Sequence, residues 1–220
     1  MPFKIATWNV NSINARLPTV LEVLAAIDAD VVCLQELKCE DTKFPFEALS
    51  EVGYDARVLG QKTYNGVAIL SRHRFEEHCG GLPGFDTPQA RYLEAVIAGP
   101  DGPWRVASIY APNGNPVDTD KFPYKLAFMQ ALTAHARGLL ALEERVVLAG
   151  DYNVIPRPED CYDPRAWEGD ALFRPESRAA LRGLINLGYT DAFGACDGRA
   201  HQYTFWDYQA GAWQKDHGIR

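Results

Sequence analysis

Several apolar runs in this chain end in side chains that suit phosphate and hard-cation chemistry. "IATWN" finishes at Asn9, and "VVCLQE" finishes at Glu36. "VASIYAPN" carries Tyr110 and Asn113, and "VVLAGDYN" carries Asp151 and Asn153. Carboxylate and amide oxygens are hard ligands, the kind that Mg²⁺ or Mn²⁺ prefers. A buried strand emerging at a sheet edge holds its last residues rigidly, which suits a site that needs fixed geometry. Taken singly, each residue has an ordinary explanation: Glu36 leaving a strand, Asn9 and Asn113 in turns, Tyr110 at a core edge, Asp151 starting a turn after Gly150. The joint pattern points to metal-assisted phosphoryl chemistry rather than to zinc or haem.

An adjacent acid and imidazole, Asp216 and His217, stand near the end of the sequence in "QKDHGIR". A carboxylate that orients an imidazole is common catalytic equipment. Whether this pair is such a dyad depends on where it sits in the fold.

The elements that must position these residues are legible as hydrophobic patterns. "FKIATWNV" and "DVVCLQE" read as buried strands, and the helical spacing of "ARLPTVLEVLAAID" places a helix between them. "YDARVLG" and "YNGVAILSR" read as two more strands. "RYLEAVIAG" and "WRVASIYAP" bracket "PDGP", a hairpin signal. "KLAFMQALTAHARGLLALEE" is a long amphipathic helix leading into the strand "RVVLAGDYN", and "SRAALRGLINLGY" is a second helix. Hairpins mixed with returning helices favour an α/β fold of two facing mixed sheets covered by helices. A parallel Rossmann-like sheet is the alternative, but G-x-G-x-x-G is absent and hairpins argue against purely parallel strands. No repeat or linker divides the 220 residues, so a single domain is expected.

Composition narrows the class. The five cysteines, Cys33, Cys39, Cys79, Cys161 and Cys196, include no C-x-x-C pair, which fits reduced thiols in the cytoplasm and gives zinc no support. No apolar stretch reaches the ~18 residues of a membrane span, and no signal peptide is evident. A net charge of −7 counts against nonspecific binding of nucleic acid by overall charge. It is compatible with an acidic site that gathers divalent metal.

"TWNVNSINARL", "DVVCLQELK", "TYNGVAILSR", "ARYLEA", "SIYAPNG", "LAGDYNVIP" and "YTFWDY" together resemble the exonuclease III family of abasic-site DNA endonucleases. That family lies within the endonuclease/exonuclease/phosphatase superfamily, and the likeness runs from residue 5 to the end. The resemblance implies a four-layer α/β sandwich and a Mg²⁺-dependent enzyme, with Mn²⁺ as a substitute, acting on damaged double-stranded DNA. It would incise 5′ to abasic sites and digest from 3′ ends, as a cytoplasmic monomer with no membrane association. Glu36 would be the principal metal ligand with Asn9 beside it. Asp151 would activate or orient water, or protonate the leaving oxygen, and it and Asn153 are also carried over as metal ligands. Asn153 would otherwise hold the phosphate or that aspartate. Tyr110 would hydrogen-bond the scissile phosphate, with Asn113 contacting the same region. Phe205, Trp206 and Ile219 would form the substrate pocket for an extruded, baseless sugar. Lys62, Arg91 and Arg16 are candidate phosphate contacts, or simply solvated charges.

Members of the family continue beyond the position of Arg220 with a strand beginning Ile-Asp, and later a Ser-Asp-His stretch that supplies the catalytic histidine. That segment is absent from this sequence, so the chain is expected to be truncated, and His73, His78, His135 and His201 lie in no matching motif. Alignment with the family puts Asp216 and His217 in a loop before the missing strand, as ordinary surface residues. Two further readings remain: another phosphoesterase or nonspecific nuclease of the superfamily, or a catalytically inactive, DNA-binding truncated form.

Overall fold

The strand "VVCLQ" shows how the sequence becomes layers. In a computed structural model that describes residues 2–207 and 211–220, it forms β2 (Val31–Gln35), buried along its whole length. Its side chains alternate between two cores, as strand geometry requires. Val31 and Cys33 face a core shared with Val67 and Ile69 and with Leu93, Ala95, Ile97 and Val106. Val32 and Leu34 face the other way, against Val20, Leu24, Leu49, Ala68 and Leu70. Burial on both faces is why the run is continuously apolar. Each fully buried Val, Leu or Ile contributes roughly 1.5–3 kcal/mol.

The backbone groups into two compact units, residues 1–111 with 138–152, and residues 112–137 with 153–220. The chain passes from one to the other three times, and no linker-like sequence marks the crossings.

The first unit holds both large sheets. β1 (Ile5–Asn9), β2, β3 (Asp55–Leu59) and β4 (Val67–Ser71) form one, in the order β1-β2-β4-β3. β5 (Phe75–Gly80), β6 (Tyr92–Gly99), β7 (Gly102–Tyr110) and β8 (Arg145–Asp151) form the other, in the order β5-β6-β7-β8. Each sheet has one parallel pair, β1 with β2 and β7 with β8, and is otherwise antiparallel. The expected hairpin is present, with Gly99 opposite Gly102 and only Pro100 and Asp101 between. α1 (Leu17–Ile27) and α2 (Phe46–Glu51) lie on the outer face of the first sheet, sending Val20, Leu24 and Leu49 into its core. Pro18 in the first turn of α1 suits a helix start, and Asp28 closes it in the left-handed conformation. The α/β class and the pair of facing mixed sheets with flanking helices are therefore as the sequence implied.

β5 was not anticipated. It is an edge strand, mostly exposed and with a bulge between Phe75 and Glu77, so "FEEHCG" lacks the apolar alternation that marks a strand.

The second unit holds most of α3 (Lys121–Leu140), with α4 (Pro175–Ile185), α5 (Ala192–Cys196) and a small antiparallel pair, β9 (Phe205–Trp206) and β10 (Gly218–Ile219). α3 begins four residues before the position the hydrophobic pattern indicated. A small core of Ile155, Cys161, Leu172 and Ile219 fills this unit beside β10. Within "YTFWDY", Tyr208 lies outside the described residues. All five cysteines are free, with Cys33, Cys39 and Cys161 buried.

Candidate active site

Strand register assembles the acidic cluster of the first unit. Parallel pairing sets Asn9 beside Gln35, the last residue of β2, so Glu36 follows at the same edge. On the other sheet Tyr110 pairs with Asp151. Gly150 makes that pairing feasible: a Cβ there would lie 2.0 Å from the Ile109 carbonyl oxygen.

Asn9 then joins the two carboxylates. Its Nδ2 donates to Glu36 Oε1 at 2.9 Å and to Asp151 Oδ2 at 2.8 Å. Its Oδ1 accepts the Asn11 backbone N–H at 3.1 Å. The amide oxygen is thereby turned away from the carboxylates, and Asn9 meets them as a donor. Lys38 Nζ lies 3.0 Å from Glu36 Oε2 and also donates to Asn11 Oδ1. The Tyr110 hydroxyl donates to Glu36 as well.

These contacts set the ionisation of the cluster. Burial works to raise Glu36, but hydrogen bonds from Asn9, Lys38 and Tyr110 and the Lys38 charge hold it below the usual carboxylate range. Burial pushes the Tyr110 phenol up, and the negative charges of Glu36 and Asp151 push it further, so Tyr110 stays a protonated donor.

The support is built in layers. Gln35, 1 % exposed, donates to Thr7 Oγ1 and to Ser108 Oγ, both at 3.1 Å, and Ser108 Oγ donates to the Leu34 carbonyl at 3.0 Å. Glu36 and Lys38 adopt left-handed φ values of 56° and 54°. Such strain persists only where the surroundings over-determine it. Here Leu37 and Lys38 donate backbone N–H groups to Gly66 and Asn65, while Ser12 and Ile13 donate to Glu36 and Leu37. Arg91 donates to the Tyr110 carbonyl at 3.2 Å and lies 4.9 Å from the ring centroid. Arg91 is thus engaged in holding the tyrosine. Arg16 donates to the Asn11 carbonyl at 2.9 Å, and Lys62 is exposed.

Among the described residues no three His, Cys, Asp or Glu side chains are grouped to enclose a metal. Two carboxylates together are what a Mg²⁺ site needs from the protein, since Mg²⁺ keeps several waters and takes substrate phosphate oxygens. Glu36 and Asp151 fit such an ion, and the all-oxygen donor set does not favour zinc.

The second unit carries the neutral candidates. Asn113 Nδ2 lies 3.5 Å from Asn153 Oδ1, and Asn113 Oδ1 accepts the Asn115 N–H at 3.1 Å. Asn153 has a left-handed φ of 50°. Fully buried Lys125 donates to the backbone carbonyls of both Asn113 and Asn153. Phe205 is 42 % exposed and pairs across the β-ladder with Ile219, which is 7 % exposed and packs in the small core. Trp206 is half-buried and donates from Nε1 to Asp216 Oδ1 at 3.0 Å.

That bond occupies Asp216, while His217 stacks on Tyr162 with centroids 4.2 Å apart and planes 5° from parallel. The neighbouring acid and imidazole serve separate partners on the surface. His73 pairs with Asp30 at 2.8 Å, His78 lies exposed on β5, and His201 meets the Tyr203 hydroxyl at 2.9 Å.

Sequence reasoning missed Lys38, Gln35 and Lys125. Lys38 stands two residues after Glu36 in a strained turn, a signal visible only with backbone angles. Gln35 precedes Glu36 in a fully apolar run, where an amide should have signalled a buried partner.

Known proteins give the cluster its context. Residues 6–220 match the Endonuclease/Exonuclease/phosphatase family. The chain is 27% identical to "Exodeoxyribonuclease III" of Haemophilus influenzae over 226 residues, covering 99% of this chain and 85% of that protein. It superposes on the 3′ phosphatase NExo from Neisseria, solved with a product DNA hairpin, at a TM-score of 0.94 and 39% identity, covering 100% of this chain and 84% of the other. It superposes on an AP endonuclease from Archaeoglobus fulgidus at a TM-score of 0.93 and 34% identity, with the same coverage. A family match that runs through both carboxylates and both sheets decides the question: the chain belongs to the endonuclease/exonuclease/phosphatase family.

Proposed function

We propose that residues 1–220 act as one catalytic domain, a Mg²⁺-dependent DNA repair phosphodiesterase that incises double-stranded DNA 5′ to abasic sites. Digestion from 3′ ends accompanies that activity, Mn²⁺ substitutes for Mg²⁺, and the enzyme works as a cytoplasmic monomer. The observation that carries this reading is the Asn9 amide bonded to both Glu36 and Asp151, which draws carboxylates from two sheets into one acidic cluster.

Bound Mg²⁺ would supply Lewis-acid stabilisation of the charge that develops on phosphate oxygens. Glu36 and Asp151 would hold it. Asn9 keeps the two carboxylates together as a bridging donor, which supports a role beside the metal rather than as its ligand. Asp151, an acceptor in this cluster, takes the proton of the attacking water as its oxygen bonds to phosphorus and the bond to the leaving 3′ oxygen breaks. That proton then passes to the leaving oxygen. Tyr110, kept protonated, turns its one hydroxyl hydrogen from Glu36 to a non-bridging phosphate oxygen when substrate binds, the kind of donor that lowers such barriers. Asn113 and Asn153 present amides to a substrate phosphate. Exposed Phe205, with Ile219 across the ladder and Trp206 beside it, receives the baseless sugar.

A second reading has its own support. The 39% identity to the Neisseria 3′ phosphatase exceeds the 34% to the Archaeoglobus AP endonuclease, which favours removal of blocked 3′ ends. Two duplexes separate the readings, one with an internal abasic site and one with a nick ending in 3′ phosphate. Mg²⁺-dependent incision of the first, abolished by EDTA, is expected. Action on the second alone establishes the 3′-end reading, and action on neither rejects both. Phe205→Ala should weaken abasic incision about tenfold, as expected for loss of an aromatic contact, while sparing digestion of plain 3′ ends.

A further inference from the structure

Lys125 is a charged side chain with no exposed surface. It sits in the second turn of α3, where a lysine would ordinarily be solvated. Burying an ammonium is costly unless its hydrogens are satisfied, so its partners show what it is for. They include the main-chain carbonyls of Asn113, at 3.0 Å, and of Asn153. These residues lie in two separate stretches of the second unit, and both carry amides of the candidate site.

The surroundings are shaped to this contact. Gly114 has a φ of 91°, and a Cβ there would lie 2.7 Å from Lys125 Cδ and 3.1 Å from Ala171 Cβ. The same loop is fixed on its far side by Asn115, whose side chain donates to Asp170 Oδ2 at 3.1 Å and accepts the Ala171 N–H at 3.0 Å. Asn153 holds a left-handed conformation, which asparagine adopts more readily than most residues. A buried ammonium on its carbonyl, shared with Asn113, fixes both backbones and so the aim of both amides.

We propose that Lys125 is a positioning residue: its ammonium ties the Asn113 and Asn153 segments together so that their side-chain amides meet a phosphate as a preorganised pair. Lys125 acts on these residues through their main-chain carbonyls. The inference rests on the proposed role of the two asparagines in holding the phosphate.

The test is a mutant cycle between Lys125→Met and the paired Asn113→Ala and Asn153→Ala changes, read as DNA cleavage rate at saturating substrate. Lys125→Met alone should lose about 100-fold, the scale of an ångström-level misplacement of a site group. With both amides already removed it should lose less than about threefold more, because sites acting through one another are non-additive. Equal losses in both backgrounds would reduce Lys125 to a general stability role and overturn the proposal. Should Lys125→Met fail to fold, Lys125→Gln keeps an N–H donor, and the same cycle decides. NMR of the asparagine side-chain amides supplies a readout free of catalysis. Distinct Asn113 and Asn153 signals should collapse towards random-coil positions in the Lys125 variant while signals from the first unit stay put. Unchanged amide signals would also overturn the proposal. A wild-type chain inactive on every DNA substrate would count against the proposed function, and the NMR result would still decide the role of Lys125.

Discussion

The carboxylate cluster of the first unit and the amide pair of the second share a plan but differ in chemistry. Each centres on a non-glycine residue in the left-handed region, Glu36 at φ 56° and Asn153 at φ 50°. Each is tied by a lysine. Lys38 bonds the Glu36 carboxylate itself and keeps 30% of its side chain exposed. Lys125 is buried and bonds the main-chain carbonyls of Asn113 and Asn153. The first arrangement offers a charge balance that an arriving cation can replace, since Lys38 can swing into solvent. The second is closed to solvent, and it fixes the backbones that carry the Asn113 and Asn153 side chains. On the proposed function, one region takes up a cation and the other holds a fixed shape.

Removing the charge at the exchangeable site should have the largest effect. Glu36→Gln keeps an oxygen for the Asn9 N–H but loses the carboxylate. It should lower Mg²⁺-dependent cleavage by about 100- to 1000-fold, the several kcal/mol that metal stabilisation supplies, with thermal stability little changed. A loss of stability without loss of rate would put the cluster's role in folding instead. Lys38→Met sharpens the contrast from the other side. Without its competing charge, half-saturation by Mg²⁺ should fall by at most about fivefold, matching the ~1 kcal/mol ceiling for a partly exposed ion pair. A marked rise in the Mg²⁺ requirement would mean that Lys38 supports the metal rather than yielding to it.

The smallest effect belongs to a carboxylate outside both regions. Burial pushes Asp30 upward, but the His73 hydrogen bond, the Lys4 backbone N–H and both charges hold it below the ordinary aspartate value. A carboxylate depressed on folding adds stability above its unfolded pKa of ~3.9 and loses it as pH falls through the lower folded value. Asp30→Asn should therefore cost at most about 1 kcal/mol near neutral pH, and the difference from wild type should vanish in strongly acidic solution. Chemical denaturation at a series of pH values measures this, and a pH-independent difference would show that packing, not charge, is at stake.

The sheets were legible because burial on both faces makes a strand such as Val31–Gln35 continuously apolar, and the same runs deliver their polar ends to one edge. Asn9, Glu36, Tyr110 and Asp151 could be found for that reason. β5 could not, since an exposed edge strand needs no apolar alternation. The two-residue strands β9 and β10 are too short to carry a period. Lys125 opens the helical pattern "KLAFMQALTAHARGLLALEE", and nothing in its neighbours announces that tertiary packing will close over it. The Asn9 amide shows another limit: residue type suggested a metal-ligand oxygen, and only the contact with Asn11 reveals that its nitrogen faces the carboxylates. Asp216 and His217 look like a dyad when adjacent in sequence, yet each takes its own partner once the loop is folded.

The central claim is that the acidic cluster around Asn9 supports metal-dependent cleavage of DNA at lost bases. The most direct measurement is incision of a duplex with one synthetic abasic site, run with Mg²⁺, with EDTA, and with the Glu36→Gln variant. A cut 5′ to the abasic site in Mg²⁺, absent with EDTA and nearly absent in the variant, is the expected result. Cleavage that persists in EDTA or survives Glu36→Gln, or no cleavage in Mg²⁺, would contradict it.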